Sequence, residues 1–203
     1  MDIGRSISFI FEDRSWIVKI LILGVFFLIP VIGWLLIGGY LLRLLANVIN
    51  GEPNPLPEWN NWGGDIAGGL KAFVVALIWG IPSWILQAIA SAADSAIFSL
   101  IGWLIGILFS AIVLSALGDL ALSGNLADAF NRKPFDRVVQ NLNFWAIVIV
   151  MDFVFSILAL VGLIGFVIGV IFTLAIAVTA QMHLAGQAYR LSEGRGSVVT
   201  RRF

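Results

Sequence analysis

The sequence predicts an all-α, polytopic transmembrane helical bundle of about six spans in three hairpins, accompanied by interfacial amphipathic helices. Of its 203 residues, 60% are hydrophobic and only 12% are charged, whereas about 25% of the residues of a soluble domain are charged. The mean hydropathy is +1.01. Long apolar blocks alternate with short polar segments, which is the pattern of helices that cross a membrane and return. Lipid is therefore the expected solvent of this chain.

Composition and motifs favour a protein that is not an enzyme. Twelve Lys and Arg balance twelve Asp and Glu, so net charge indicates no nucleic-acid partner. The absence of cysteine excludes disulfides and thiol nucleophiles, and a single histidine, His183, disfavours a transition-metal site. No GxSxG, HExxH or GxxxxGK[ST] motif occurs. The nearest approach to an intramembrane aspartyl protease motif ends at Asp119, but its first position is Ala116. We expect no catalytic residue, no metal and no cofactor.

Residues 1–15 are expected to form an interfacial helix. Their apolar side chains follow the spacing of one helical face, which would lie flat against the membrane; they are Ile3, Ile7, Ile10 and Phe11. The apolar block that follows begins at Trp16, and no small-residue cleavage signal precedes it. We therefore expect a retained anchor rather than a cleaved signal peptide.

Residues 16–50 are predicted to form the first hairpin, interrupted at Pro30 to Gly33. A single helix over these residues would be about 52 Å long at 1.5 Å per residue, well beyond a hydrocarbon core of about 30 Å. The hairpin has a cost of its own, because its first arm, Trp16 to Ile29, is short for a span. The hairpin is favoured, and a single kinked helix, giving five spans, stays open.

Residues 51–65 are predicted to form a rigid cytoplasmic loop. Prolines at three alternate positions exclude a regular helix, and tryptophans are typical of the headgroup level of a membrane. We expect this loop to lie at the surface and to present four residues to a partner protein: Pro57, Glu58, Trp59 and Trp62.

The rest of the chain repeats the hairpin pattern. Residues 66–122 form the predicted second hairpin, which turns at Ser91 to Ser95. Residues 123–143 are a predicted cytoplasmic interfacial segment. Residues 144–188 form the predicted third hairpin, and residues 189–203 are a short basic tail.

The distribution of charge predicts the orientation. In three hairpins all twelve Lys and Arg lie at one face, whereas the turns at Pro30, Ser91 and Val161 carry none. The positive-inside rule then places both termini and both long loops in the cytoplasm. In the five-span alternative only three basic residues would move to the other side, namely Arg5, Arg14 and Lys19.

Small residues recur at every fourth position of the apolar blocks. They allow helix backbones to approach closely, although they could also line a pore. There are three such runs: Gly68, Ala72, Ala76 and Gly80; Gly102, Gly106 and Ser110; and Gly165, Gly169, Thr173, Ala177, Gln181 and Ala185. We expect them to pack the bundle tightly.

A candidate intramembrane polar site is predicted around Asp152, which stands midway along its apolar block. Placing an ionisable group at the centre of a membrane helix costs at least about 2.5 kcal/mol, so such a residue is expected to have a functional or structural role. One interpretation is a protonatable carboxylate on a proton or cation path. The other is a structural acid that is hydrogen-bonded to Gln181 or paired with Arg43. His183 and the shallower Asp119 complete the candidate set.

The first eighty residues resemble a known family. The segments SFIFEDRSWIVKILI, FLIPVIGWLLIGGYLLRLLANVINGE and LPEWNNWGGDIAGGLKAF, followed by a helix with Ile81 and Pro82, are similar to prokaryotic membrane proteins of domain-of-unknown-function family 4013. The resemblance implies a bacterial or archaeal inner membrane. It implies no activity, substrate or cofactor.

Two functions of different kinds are expected from these observations. The first is a non-catalytic accessory or scaffold subunit whose cytoplasmic loop contacts a membrane-protein partner or a second copy of the chain. The alternative is a small-solute or ion/proton permease that uses Asp152. Sparse intramembrane charge and the small-residue spacing favour the first. Neither involves nucleic acid.

Overall fold

The computed structural model describes residues 1–161 and 166–194, and these are all-helical. In chain order the helices are α1 (Arg5–Glu12), α2 (Trp16–Phe27), α3 (Ile32–Asn50), α4 (Trp62–Ala92), α5 (Ala96–Ser123), a 3-10 helix (Leu126–Phe130), α6 (Lys133–Gln140), α7 (Leu142–Val161) and α8 (Phe166–Ser192). No strand occurs within the described ranges. The predicted all-α bundle is confirmed.

The block from Trp16 to Asn50 is two helices rather than one. Pro30 lacks the backbone N–H that a continuous helix needs, and the chain turns over residues 28–31. The helices touch beyond the turn, where the indole N–H of Trp34 donates to the carbonyl oxygen of Phe27 at 3.3 Å. Within the described ranges, five helices are long and apolar enough to cross a membrane. Because α2 has only 12 residues, it falls short of the sixth predicted span.

The core of the bundle lies between α3, α5 and α8. In α3 and α8, 61% and 56% of the most apolar window is buried inside the protein, compared with 11% in α4 and 17% in α5. The three helices contribute most of the fully buried apolar side chains, such as Leu44, Ile112 and Leu184. The outer faces of α2, α4, α5 and α7 expose a broad apolar surface.

Three separate segments meet at one end of the bundle, around the last turns of α8. The backbone N–H of Asp2 donates to Gln187 Oε1 at 2.7 Å. A Cβ at Gly51 would lie 3.3 Å from the Arg190 guanidinium. Arg137 of α6 forms an ion pair with Glu193. The N-terminal segment, the loop after α3 and the segment between α5 and α7 therefore share this end, which we call the polar end.

The short helices at the polar end place apolar side chains against the bundle. In α1, Ile10 of the predicted face is buried together with Phe9, whose ring stacks on His183 of α8. Ile3 and Phe11 of the same face are exposed. In α6, Val138 is fully buried.

Two predicted boundaries also change. Residues 162–165, most of the predicted turn of the third hairpin, lie outside the described part of the chain. Helix α8 continues to Ser192, so the predicted tail begins with helix, and Tyr189 is buried in it. The remaining tail, residues 195–203, is outside the described residues.

Candidate functional site

The loop between α3 and α4 folds back along α3. It starts at Gly51, whose φ of 80° ends α3 in the left-handed conformation that favours glycine. Asn47 Nδ2 then donates to the carbonyl oxygen of Pro55 at 2.9 Å, and the Tyr40 hydroxyl donates to that of Pro57 at 3.2 Å. The loop therefore runs antiparallel to α3 and is fixed to it by side chains.

This packing corrects the predicted partner surface. Pro57 is buried, and Trp59 stacks on the Tyr40 ring with 4.1 Å between ring centroids. The indole N–H of Trp59 also donates to the carbonyl oxygen of Lys19 at 3.1 Å. Both residues were assigned to a surface because prolines and tryptophans are common there, but the packing against α2 and α3 buries Pro57 and half-buries Trp59. Only Glu58 and Trp62 remain exposed, and Trp62 is the first residue of α4.

Lys19 holds the loop to the N-terminal segment. Its side chain is 3% exposed, and Nζ lies 2.6 Å from Asp13 Oδ2 and 2.5 Å from Glu58 Oε1. It also donates to the carbonyl oxygen of Leu56 at 3.3 Å. Burial alone would raise the pKa of the Asp13 carboxyl, but the hydrogen bonds from Lys19 and Ser15 outweigh it and lower that pKa. The cluster therefore contains an ionised acid at neutral pH.

Arg43 is paired with Asp65 rather than with Asp152. Its Nε and Nη2 donate to Asp65 Oδ1 and Oδ2, both at 2.7 Å, and the Asp65 side chain is 1% exposed. Nη2 also donates to the carbonyl oxygen of Glu58 at 3.0 Å. The expected pairing with Asp152 is wrong, because the bidentate pair joins α3 to the start of α4.

Asp119 belongs to a second buried ionic network, the Arg137 cluster, composed of Ser115, Asp119, Arg137, Tyr189 and Glu193. Arg137 is 5% exposed on its side chain, and its Nη1 and Nη2 donate to the two Asp119 oxygens at 3.1 and 2.9 Å. Nη1 also donates to Ser115 Oγ at 2.8 Å. Burial by itself lowers the pKa of the Arg137 guanidinium, but the hydrogen bonds to Asp119 and Glu193 outweigh this effect, so that the pKa is raised overall. Arg137 therefore stays charged. The cluster fastens α6 to α5 and α8.

Asp152 and Gln181 do come together, in what we call the Asp152 pocket. This partly open pocket of about 220 Å³ lies between α7, α8 and α3, with Leu41, Phe155 and Val178 among its walls. Asp152 is exposed, and its carboxylate hydrogen-bonds to none of the described residues. Gln181 is buried, yet its Oε1 has no donor among them either. The predicted bond between Asp152 and Gln181 is therefore absent from this part of the chain.

His183 is not part of that pocket. It is 4% exposed and its ring stacks on Phe9 of α1 at 4.2 Å between centroids. Its Nδ1 lies 3.2 Å from Gln187 Nε2. Within residues 1–161 and 166–194, no three His, Cys, Asp or Glu side chains are grouped so that they could hold a metal ion. The five predicted polar-site residues are thus divided among four places.

Sequence reasoning missed three charged residues that organise the polar end. Lys19, Asp65 and Arg137 received no role, although each is almost fully buried. One signal was available, since Lys19 and Asp65 stand at the starts of apolar blocks, where an unpaired charge would be costly. The partner of Arg137 could not be found in this way, because Asp119 and Glu193 are 18 and 56 residues away.

A family model described as a protein of unknown function (DUF4013) matches residues 22–168, well over half of the chain. The chain belongs to the DUF4013 family. The DUF4013 match includes Arg43, Asp65, Arg137 and Asp152, whereas Lys19 and the Gln181 side of the Asp152 pocket lie outside it. No curated protein and no solved structure matches this chain.

Proposed function

We propose that this DUF4013 protein is a non-catalytic, multi-pass protein of a prokaryotic inner membrane that acts as an accessory or scaffold subunit. The proposal rests on the observation that buried charged side chains form ion pairs inside the protein. Lys19, Arg43 and Arg137 are engaged in internal ion pairs that fix the polar segments to the bundle. Charged groups committed in this way build a rigid platform rather than an open reaction cleft.

The apolar surface supports the membrane location. The exposed face of α4 is apolar from its first turn to its last, with side chains at helical spacing; they include Trp62, Ile66, Leu70, Phe73, Leu77, Ile81, Trp84, Ile85 and Ile89. Such a surface would aggregate in water, and lipid is the solvent that covers it. By the positive-inside rule, the basic residues of the polar end support a cytoplasmic location for that end.

The orientation can be tested by labelling single cysteines, because the natural chain has none. We expect Ala93→Cys, in the exposed turn between α4 and α5, to react with a membrane-impermeant maleimide in intact cells. Glu52→Cys, exposed at the polar end, should react only after the membrane is permeabilised. The reverse pattern would invert the proposed topology.

The remaining partner surface consists of Glu58 and Trp62. The Glu58 side chain is 64% exposed beyond its ion pair with Lys19, and Trp62 is 45% exposed. A second copy of the chain or another membrane protein could contact both, because they lie at the polar end of the outer face of the bundle.

Photo-crosslinking would test this surface against a matched control. We expect p-benzoylphenylalanine at position 62 or 58 to crosslink, in native membranes, to one protein that also copurifies with the unmodified chain. The control is position 84, a tryptophan of the same helix with 57% exposure, which should give no such adduct. Equal adducts from positions 62 and 84 would mean that Trp62 merely faces lipid, and the scaffold surface would then be wrong.

The Asp152 pocket favours a second candidate, a small-solute or ion/proton permease. An unpaired carboxylate within an apolar helix face is costly unless a ligand, water or a proton meets it. Asp152-dependent, gradient-driven flux in proteoliposomes would support this candidate.

A further inference from the structure

Among the described residues, the polar lining of the Asp152 pocket supplies mainly hydrogen-bond acceptors. One N–H of Gln181 Nε2 donates to the carbonyl oxygen of Val148 at 3.2 Å. That bond sets the orientation of the amide, because the reverse orientation would place two oxygens against each other. Gln181 Oε1 is therefore left as an acceptor without a donor among the described residues.

Ser156 presents the same chemistry. Its hydroxyl hydrogen is directed to the carbonyl oxygen of Asp152 at 2.8 Å, so only the lone pairs of Oγ remain available to the pocket. The Asp152 carboxylate accepts hydrogen bonds but donates none when it is ionised. The three polar side chains of the pocket thus supply three kinds of acceptor, which suits a ligand with several N–H donors.

The charge and the walls restrict the ligand further. None of the described residues that line the pocket is basic, so a cationic ligand would neutralise Asp152. A divalent metal ion fits poorly, because Ca²⁺ takes about six to eight oxygen ligands and Mg²⁺ needs near-octahedral geometry. A primary ammonium group has three N–H donors for three acceptors. Leu41, Phe155 and Val178 provide an apolar wall for its carbon chain.

The position of the pocket indicates how such a ligand would enter. Asp152 is exposed beside Val150, Phe153 and Val154, which belong to the apolar outer surface of α7. The volume of about 220 Å³ is below the roughly 300–1,000 Å³ of drug-sized sites, so the ligand is small. From these observations we infer that the Asp152 pocket binds the ammonium group of a small amphiphilic amine that enters from the lipid side. The inference rests on the second candidate function and names its ligand class.

Equilibrium binding to the full chain in nanodiscs tests this inference, with radiolabelled n-hexylammonium as the probe and empty nanodiscs as the blank. Wild type is expected to bind it saturably, and neither 1-hexanol nor hexanoate should compete at equal concentration. Asp152→Asn should weaken binding by at least about tenfold, the loss expected for a charge-assisted hydrogen bond. Gln181→Met should weaken it by roughly threefold or more, since it removes one neutral acceptor.

Two further variants keep the test decisive. Asp94→Asn is the matched control, because this acid lies in the α4–α5 turn and not in the pocket, and it should bind as wild type does. If Asp152→Asn fails to fold, Ala159→Leu fills the pocket without touching the carboxylate and should abolish binding. Displacement of the probe by equimolar Na⁺ or K⁺, or binding that survives Asp152→Asn in a folded protein, would overturn the inference.

The same preparations distinguish this inference from the permease candidate. Amine binding without flux would support the amine site and contradict the permease function. Asp152-dependent flux of another solute, with no amine binding, would support the permease function and contradict the assignment of an amine as its ligand. Neither result depends on the partner surface at Glu58 and Trp62.

Discussion

Replacing Arg137 by methionine is expected to lower the free energy of unfolding by about 3–5 kcal/mol, the usual cost of breaking a buried ion pair. The substitution keeps much of the side chain's length but removes every charged donor from the Arg137 cluster. Asp119, whose side chain is 11% exposed, would then keep, among the described residues, only the Tyr189 hydroxyl as a donor. Loss of the pair with Glu193 would also release α6 from the end of α8.

Thermal unfolding in detergent, followed by circular dichroism, measures this effect. The melting temperature should fall by on the order of 10 °C, given about 2–4 °C per kcal/mol for a chain of this size. Arg132→Met is the matched control, since the Arg132 side chain is 84% exposed and its pair with Asp136 is worth less than about 0.5 kcal/mol.

A second comparison separates the ion pair from simple packing. The double variant Arg137→Met with Asp119→Leu should be more stable than Arg137→Met alone, because it no longer buries an uncompensated carboxylate. Equal losses for Arg137→Met and Arg132→Met would show that the Arg137 cluster does not hold α6 in place.

Gly39→Val is expected to destabilise the protein by about 3 kcal/mol or more, because it forces α3 and α4 apart. A Cβ at Gly39 would collide with the backbone of Asp65, and one at Gly69 would collide with the carbonyl oxygen of Leu35. Neither obstacle is the end of a flexible side chain, so the helices themselves would have to move. Separation would also break the bidentate pair between Arg43 and Asp65.

The glycines of α4 provide a matched control for this prediction. A Cβ at Gly63 would meet no atom within 4 Å, so Gly63→Ala should be neutral or stabilise the helix by up to about 1 kcal/mol. Chemical unfolding of both variants in the same detergent gives the comparison. A folded Gly39→Val protein with unchanged stability would contradict the close contact between α3 and α4.

The sequence predicted the contact between α3 and α4 only in part. Small residues in α4 indicated close packing, and a Cβ at Gly68 of the predicted run would lie 3.4 Å from the Gly39 Cα, but the tightest contact is made by the neighbouring Gly69 against the Leu35 backbone. Spacing along one helix identifies a face with a tolerance of about one residue, since neighbouring positions are about 100° apart. The partner helix decides which of two adjacent glycines is buried.

The candidate site shows a second limit. Asp152 stood out because a carboxylate in a long apolar block is costly wherever the helix packs. Its neighbours could not be assigned, because Gln181, Arg43 and His183 were each compatible with the same depth. In the structure Gln181 joins Asp152 in one pocket, whereas Arg43 pairs with Asp65 and His183 stacks on Phe9. The depth of a side chain can be estimated from its position along its own helix. The direction in which it points around the bundle depends on how the helices pack.

The sequence by itself determined the all-helical class, the break at Pro30 and the polar segments between apolar blocks. These follow from composition, from the missing N–H of proline and from hydropathy, which act over a few neighbouring residues. Only the tertiary structure decided that the loop after α3 is buried against Tyr40 and that Arg137 binds Asp119. Both features depend on contacts between residues distant along the chain, whose side chains meet only when the helices pack.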